Sequence, residues 1–278
     1  MRALRRAALR VLCAPAVARS GTMRAMENTE NISAAQDAAG AAPAAGGAQP
    51  QDAAAPASSA APEVPAAPAF EVVLASGSPR REQLLRDAGV VFTVRRPQTP
   101  VDESLEPDLA ADPPEAAKKL AERKAGAVVQ EILADAGFTG MIVVLGADTM
   151  VVKDGRIFGK PKNLSDGKHM LRCLSGATHQ VVTAVSVWMV SAPEPEKVSL
   201  GFRTFADTSH VTFHDLTDEQ IADYLRKGES FDKAGAYAIQ GEGAKLVAQV
   251  EGSLDTVIGL PVERLLREFP DLPVRKQS

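Results

Sequence analysis

An apolar run, Phe70-Glu71-Val72-Val73-Leu74, stops at Ala75-Ser76-Gly77-Ser78 and gives way to Pro79-Arg80-Arg81. A short strand that passes into a helix through four small residues belongs to folds in which helices are laid on a sheet. Small residues let the backbone approach a ligand closely, and Pro79 has the fixed φ that suits a helix's first turn. Backbone N–H groups at a helix N-terminus, with guanidinium forks beside them, make a site for phosphate. Read alone, the octapeptide is equally well a strand-to-helix turn whose arginines are merely solvated.

The pattern downstream predicts a mixed α/β domain without internal repeats. A strand is expected over 70–75, a helix over Pro79–Ala88 ended by Gly89, a second strand over Val90–Val94 and a polar loop from Gln98 to Asp112. Ala117, Leu120, Ala121, Ala125, Val128, Val129 and Ile132 recur at helical spacing and predict a long helix over Pro113–Ala136. Met141–Leu145 reads as a buried strand running into Gly146-Ala147-Asp148-Thr149, and Asp154-Gly155 signals a hairpin. Ser165 or Asp166 can cap a helix running to Leu174. Long β segments follow at Thr178–Val190 and Ser199–Phe213. Thr217 and Gln220 have capping-box spacing for a helix through Arg226. A glycine-rich strand region, Leu246–Leu260, leads to a last helix over Pro261–Glu268.

Composition bounds the function classes. With 278 residues, 45% of them hydrophobic, the chain can bury a full core, and a net charge of −4 argues against nucleic acid as a partner. No run approaches the roughly 18 apolar residues of a membrane span. Two cysteines, Cys13 and Cys173, are too few for a disulfide framework or a thiolate metal site, which fits a reducing cytoplasm. Residues 1–69 stand apart as an extension: arginines and no acidic residue before Glu27, then an Ala/Pro-rich stretch without aromatic anchors. Such a stretch is expected to be disordered linker. The arginine-rich start reads either as an organelle transit peptide or as upstream sequence before a start at Met23 or Met26. The folded domain is expected over 70–278.

Four segments besides the octapeptide carry chemistry. Asp102-Glu103 is an acidic pair in a loop, and Glu122-Arg123-Lys124 puts cations on the long helix. Asp148 lies between Val143-Val144-Leu145 and Met150-Val151-Val152, and Phe231–Gly241 is a glycine-rich run with charges and an amide. A carboxylate embedded in so apolar a strand must be paired, hydrogen-bonded or metal-bound. Together these segments supply what nucleoside triphosphate hydrolysis needs: cations and N–H groups for the triphosphate, and carboxylates for a divalent cation and for activating water. Hard oxygen donors favour Mg²⁺ or Mn²⁺. The chain has no G-x-x-x-x-G-K-[ST] loop, which excludes a P-loop ATPase. The four histidines, His169, His179, His210 and His214, lack metal-type spacing and read as surface or structural.

Leu74–Arg81, the Val101-Asp102-Glu103 loop, Glu122–Ala125, Gly146–Thr149, Phe158-Gly159-Lys160-Pro161, Leu174–His179, the run to Gly241 and Gly259-Leu260-Pro261 resemble, in order, the Maf family of nucleotide pyrophosphatases. The resemblance implies an elongated, two-lobed α/β fold akin to the inosine triphosphate pyrophosphatases, with the nucleotide in a central cleft. It implies metal-dependent cleavage of a nucleoside triphosphate to monophosphate and pyrophosphate, and a homodimer. By resemblance Asp148 is the proton acceptor and a metal ligand with Glu103, and Ser78, Arg80, Arg81, Lys124 and Lys160 lie on the phosphate side. Arg80, Thr149 and Gln240 match the trio of the dTTP/UTP-cleaving subgroup. An amide such as that of Gln240 can both donate to and accept from a thymine or uracil edge. Two alternatives stay open: a pyrophosphatase for 7-methyl-GTP or another non-standard nucleotide, and a nucleotide-binding regulator of cell division.

Overall fold

A computed structural model describes residues 70–135 and 137–275 of the chain. The extension read over 1–69, with its leader and linker alternatives, lies outside the described residues, as does Ala136. The described chain is a mixed α/β domain built on a seven-stranded sheet of order β2-β1-β3-β5-β6-β7, with β4 against β3. The strands are β1 (Glu71–Leu74), β2 (Thr93–Val94), β3 (Gly140–Lys153), β4 (Arg156–Phe158), β5 (Thr178–Glu194), β6 (Lys197–Phe213) and β7 (Val247–Glu251). Pairing is parallel among β2, β1 and β3 and antiparallel elsewhere.

The longest departure from expectation is β3. It does not end near Asp148 but runs on to Lys153, because β5 pairs with it without interruption from Gly140 opposite Ala192 to Val152 opposite Gln180. The second strand is shorter than Val90–Val94: the Val90 N–H bonds the Leu85 carbonyl and the Val91 N–H bonds that of Pro273, so only Thr93 and Val94 pair with β1.

Helix α1 (Pro79–Asp87) buries Leu85 fully, with Leu84 packed beside it. The loop read over 98–112 contains a short helix, α2 (Pro107–Ala110). The long helix, α3 (Pro113–Ala134), is capped by Asp112 and lays a stripe of small residues on the sheet. Helix α4 (Leu164–Leu174) is capped not by Ser165 or Asp166 but by Asn163, whose side chain accepts from the Asp166 N–H, while the Asp166 carboxylate accepts from the Lys162 N–H. Helix α5 (Asp218–Arg226) starts in the expected capping box of Thr217 and Gln220. The region read as glycine-rich strand holds the end of a 3₁₀ turn (Gly241–Leu246), β7 and a one-turn helix, α6 (Leu254–Ile258), before α7 (Val262–Glu268).

Side chains alternate across the strands. Even-numbered residues of β3, such as Met150 and Val152, join Ala116, Ala117, Leu120 and Ala121 of α3 in one apolar cluster. The odd-numbered face carries two others. Val143, Leu145, Ala147, Val185, Val187 and Phe205 pack under α1 and α7, whereas Val151, Val181, Val211 and Phe213 pack under α4 and α5.

Candidate active site

The cleft begins where the sheet loses a strand. β1 pairs with residues 142–145 of β3, and β4 pairs with residues 151–153. Among the described residues no strand pairs with 146–150 on that side. A cleft of about 840 Å³ opens there, lined by the turn 75–81, part of the loop 97–105, Lys124, Asp148 to Val151, Phe158 to Lys160, and Asp232 to Ile239 with gaps. Asp148 and Thr149, adjacent on β3, project to opposite faces of the sheet, and both line it.

On the even face Asp148 is buried at 7% exposure. Gly146, two residues earlier on the same face, lets α3 come close: a Cβ there would stand 2.6 Å from the Ala121 carbonyl oxygen and 2.7 Å from Ala125 Cβ. That approach delivers Lys124, whose Nζ donates to Asp148 Oδ1 at 2.5 Å and pairs with Glu103 Oε1 at 2.8 Å. The loop that carries Glu103 is tied to the same helix, since Arg123 Nη1 donates to the carbonyls of Asp102 (3.0 Å) and Ser104 (2.6 Å). The hydrogen bond from Lys124 is the main reason the Glu103 carboxyl lies below its ordinary range. It outweighs partial burial, and the charges of Lys124, Lys160 and Arg81 add to it.

On the odd face Arg81 is held at three points. Its Nε donates to the Gly259 carbonyl at 2.8 Å, Nη1 to Ser76 Oγ at 3.3 Å and Nη2 to Thr149 Oγ1 at 3.1 Å. Burial is the largest influence on this guanidinium and lowers its pKa, with Asp148 opposing it. Gly259 sits at φ 130°, and a Cβ there would press on Thr149 Oγ1 at 3.3 Å and Arg81 Nε at 3.5 Å, so the close approach calls for glycine.

Arg80 points to the other wall and pairs with Asp232 at 3.3 Å, next to Lys233, whose Nζ donates to the Glu229 carbonyl at 2.5 Å. Lys160, exposed, lines the cleft within electrostatic reach of Glu103. Ser78 also lines it, and its N–H donates to Ser76 Oγ at 3.2 Å. The structure thus brings together Ser78, Arg80, Arg81, Glu103, Lys124, Asp148, Thr149 and Lys160. It does not bring in Gln240, which is exposed and outside the lining residues, although its neighbour Ile239 is among them.

Sequence reasoning passed over Ser76, buried at 8% exposure, as one of several small turn residues. It also passed over Thr183, fully buried in an apolar β run, where only the spacing of the rare polar residues marks it. His179 is structural as expected: it is buried, and its Nε2 lies 2.8 Å from the Tyr237 hydroxyl, edge-on to Phe213.

Among the described residues no group of three or more His, Cys, Asp or Glu side chains is arranged for a metal. Glu103 and Asp148 nevertheless meet at one point, the Lys124 ammonium. Two hard carboxylates fit a cation such as Mg²⁺, which keeps several waters and takes phosphate oxygens from its substrate.

The sequence profile of the family described as Maf-like protein matches residues 71–272. Among known proteins, the dTTP/UTP pyrophosphatase of Bacillus velezensis is 42% identical over 204 residues, 73% of this chain and 97% of the relative. That of Citrifermentans bemidjiense is 44% identical over 191 residues, 69% and 90% of the two chains, and that of Lachnoclostridium phytofermentans 39% over 200 residues, 72% and 93%. The turn 74–81, the acidic loop, the lysine helix and the Asp148 strand that build the cleft all fall inside the matched stretch: the chain belongs to the Maf family.

Proposed function

We propose that this protein hydrolyses nucleoside triphosphates to the monophosphate and pyrophosphate, with dTTP and UTP as preferred substrates. One observation carries the reading: a buried carboxylate at a gap in the sheet, paired with Lys124, shares with Arg80, Arg81 and Lys160 the lining of a cleft of about 840 Å³, within the range of small-molecule sites. The names of the relatives at about 40% identity support the base preference.

Water adds to phosphorus at the α–β anhydride, its proton passes to a carboxylate oxygen of Asp148, and the bond to the bridging oxygen breaks to release pyrophosphate. Arg81, fixed at three points, and Lys124 meet charge that grows on the non-bridging oxygens, where preorganised donors count most. Glu103 and Asp148 would hold a divalent cation, Mg²⁺ or Mn²⁺, which neutralises triphosphate charge when bound. Gln240, directly after the cleft residue Ile239, is proposed to read the O4/N3–H edge of the base.

Pyrophosphate release measured across a nucleotide panel with Mg²⁺, Mn²⁺ or Co²⁺ tests the reading. dTTP and UTP are expected to give the highest kcat/KM. Preference for 7-methyl-GTP would move the protein to another subgroup, and no release from any nucleotide would favour a regulatory role.

A further inference from the structure

Thr149, Thr183 and Asp207 occupy one register row across β3, β5 and β6. On this face the row above, Ala147, Val185 and Phe205, belongs to one apolar cluster, and Val151 and Val181 below belong to the other. A polar seam therefore crosses the sheet between two cores, at the point where Arg81 reaches it.

The seam has a fixed direction. Thr183 has one hydroxyl proton, and its Oγ1 donates to the Thr256 carbonyl at 2.7 Å. The 3.0 Å contact between the two threonine hydroxyls must then be donated by Thr149. With its proton committed to Thr183, Thr149 presents only lone pairs to Arg81 Nη2. The α6 turn closes the arrangement, taking the Thr183 proton at Thr256 and the Arg81 Nε proton at the Gly259 carbonyl. That turn is itself held by Thr256 Oγ1 donating to Asp207 Oδ2 at 2.6 Å and by Ser209 Oγ donating to the Ser253 carbonyl at 2.8 Å.

We propose that Thr183 is a positioning residue for Arg81. By drawing the Thr149 proton away from the cleft, it turns an acceptor towards the guanidinium and fixes the fork, leaving the remaining N–H groups for phosphate oxygens. Without the Thr183 hydroxyl, the Thr149 O–H is free to turn towards a cation that also needs an acceptor. The proposal rests on reading the cleft as a triphosphate site.

Val and Ser substitutions separate this from a packing role, since Val keeps the shape of threonine and Ser keeps its hydroxyl. Inorganic tripolyphosphate binding by calorimetry and dTTP kinetics are measured on the full chain, Thr183→Val and Thr183→Ser. Thr183→Val is expected to weaken tripolyphosphate binding and lower kcat/KM at least tenfold, while Thr183→Ser stays within about threefold of the parent. The proposal is overturned if the valine variant binds like the parent, if serine loses as much as valine, or if the parent binds no tripolyphosphate. If binding follows the expected order but the parent cleaves no nucleotide, the hydrolase reading falls and the positioning role stands.

Discussion

Asp148 is exposed to chemistry by a neighbour that stops short: β1 ends beside Leu145, and among the described residues no strand takes its place beside 146–150 of β3. Replacing Asp148 by Asn keeps the size of the side chain and removes the proton acceptor proposed above. Turnover should fall by about 10²–10⁴ with the circular dichroism spectrum unchanged, whereas near-parental dTTP hydrolysis would assign the base elsewhere. His179 makes a second residue-scale prediction. Burial, aided by Lys153, brings its pKa down from 6.5 to about 4. Between those values the unfolded chain binds a proton that the folded chain does not, so stability rises with pH across the window and is lost as pH falls through it. At about 1.4 kcal/mol per pH unit, this group alone removes about 2 kcal/mol on going from pH 7 to pH 5. His179→Gln, which does not titrate there, should show a smaller drop in melting temperature over that interval than the parent. An equal drop would place the pH sensitivity elsewhere. Asp148 and the Arg80-Arg81 pair were legible in the sequence because charge in an apolar strand or beside a glycine turn stands out. Lys124, in the charged stretch Glu122-Arg123-Lys124, reads alone as a surface helix charge and was picked out by the family match. Ser76 and Thr183 were not, because a hydroxyl in a turn or strand is unremarked until its partners are known. Gln240 stood out as an amide in a glycine-rich run, but its pairing with a base edge came only from the match, and it is exposed and outside the residues that line the cleft.

At the scale of elements, the site depends on how near α3 lies to β3. Gly146→Ala puts a methyl group 2.6 Å from the Ala121 carbonyl oxygen and 2.7 Å from the Ala125 backbone nitrogen. Neither atom can yield without moving the helix, so overpacking should cost about 1–3 kcal/mol and carry Lys124 away from Asp148. Chemical denaturation and dTTP kinetics should both report a loss, and an alanine variant of parental stability and activity would show that the helix adapts freely. The long elements were readable because their periodicity is sustained: α3 from its small-residue stripe, and the β5–β6 hairpin from its β-branched runs. What was lost lay at ends set by hydrogen-bond partners outside the segment itself. Val90 and Val91 bond to Leu85 and Pro273 rather than to β1, and β3 continues past Asp148 because β5 continues beside it. No local signal records which partner continues beside a strand, least of all one as remote in sequence as Pro273 is from Val91.

At the scale of the whole molecule, the family match begins at residue 71, and relatives aligned over about 90% or more of their own length use about 70% of this chain. A chain beginning at Glu63 should therefore keep the parent's kcat/KM and melting temperature, and a fall of several degrees would reveal contacts made by the removed segment. The two apolar clusters on the odd face are separated by the row Thr149, Thr183 and Asp207, yet β3, β5 and β6 run unbroken from one to the other. Hydrogen bonds that continue through a polar boundary bind the fates of the cores on either side of it. Neither half has a ladder of its own to keep when the other melts, so Val143 and Val151 should exchange their amide protons with a single opening free energy.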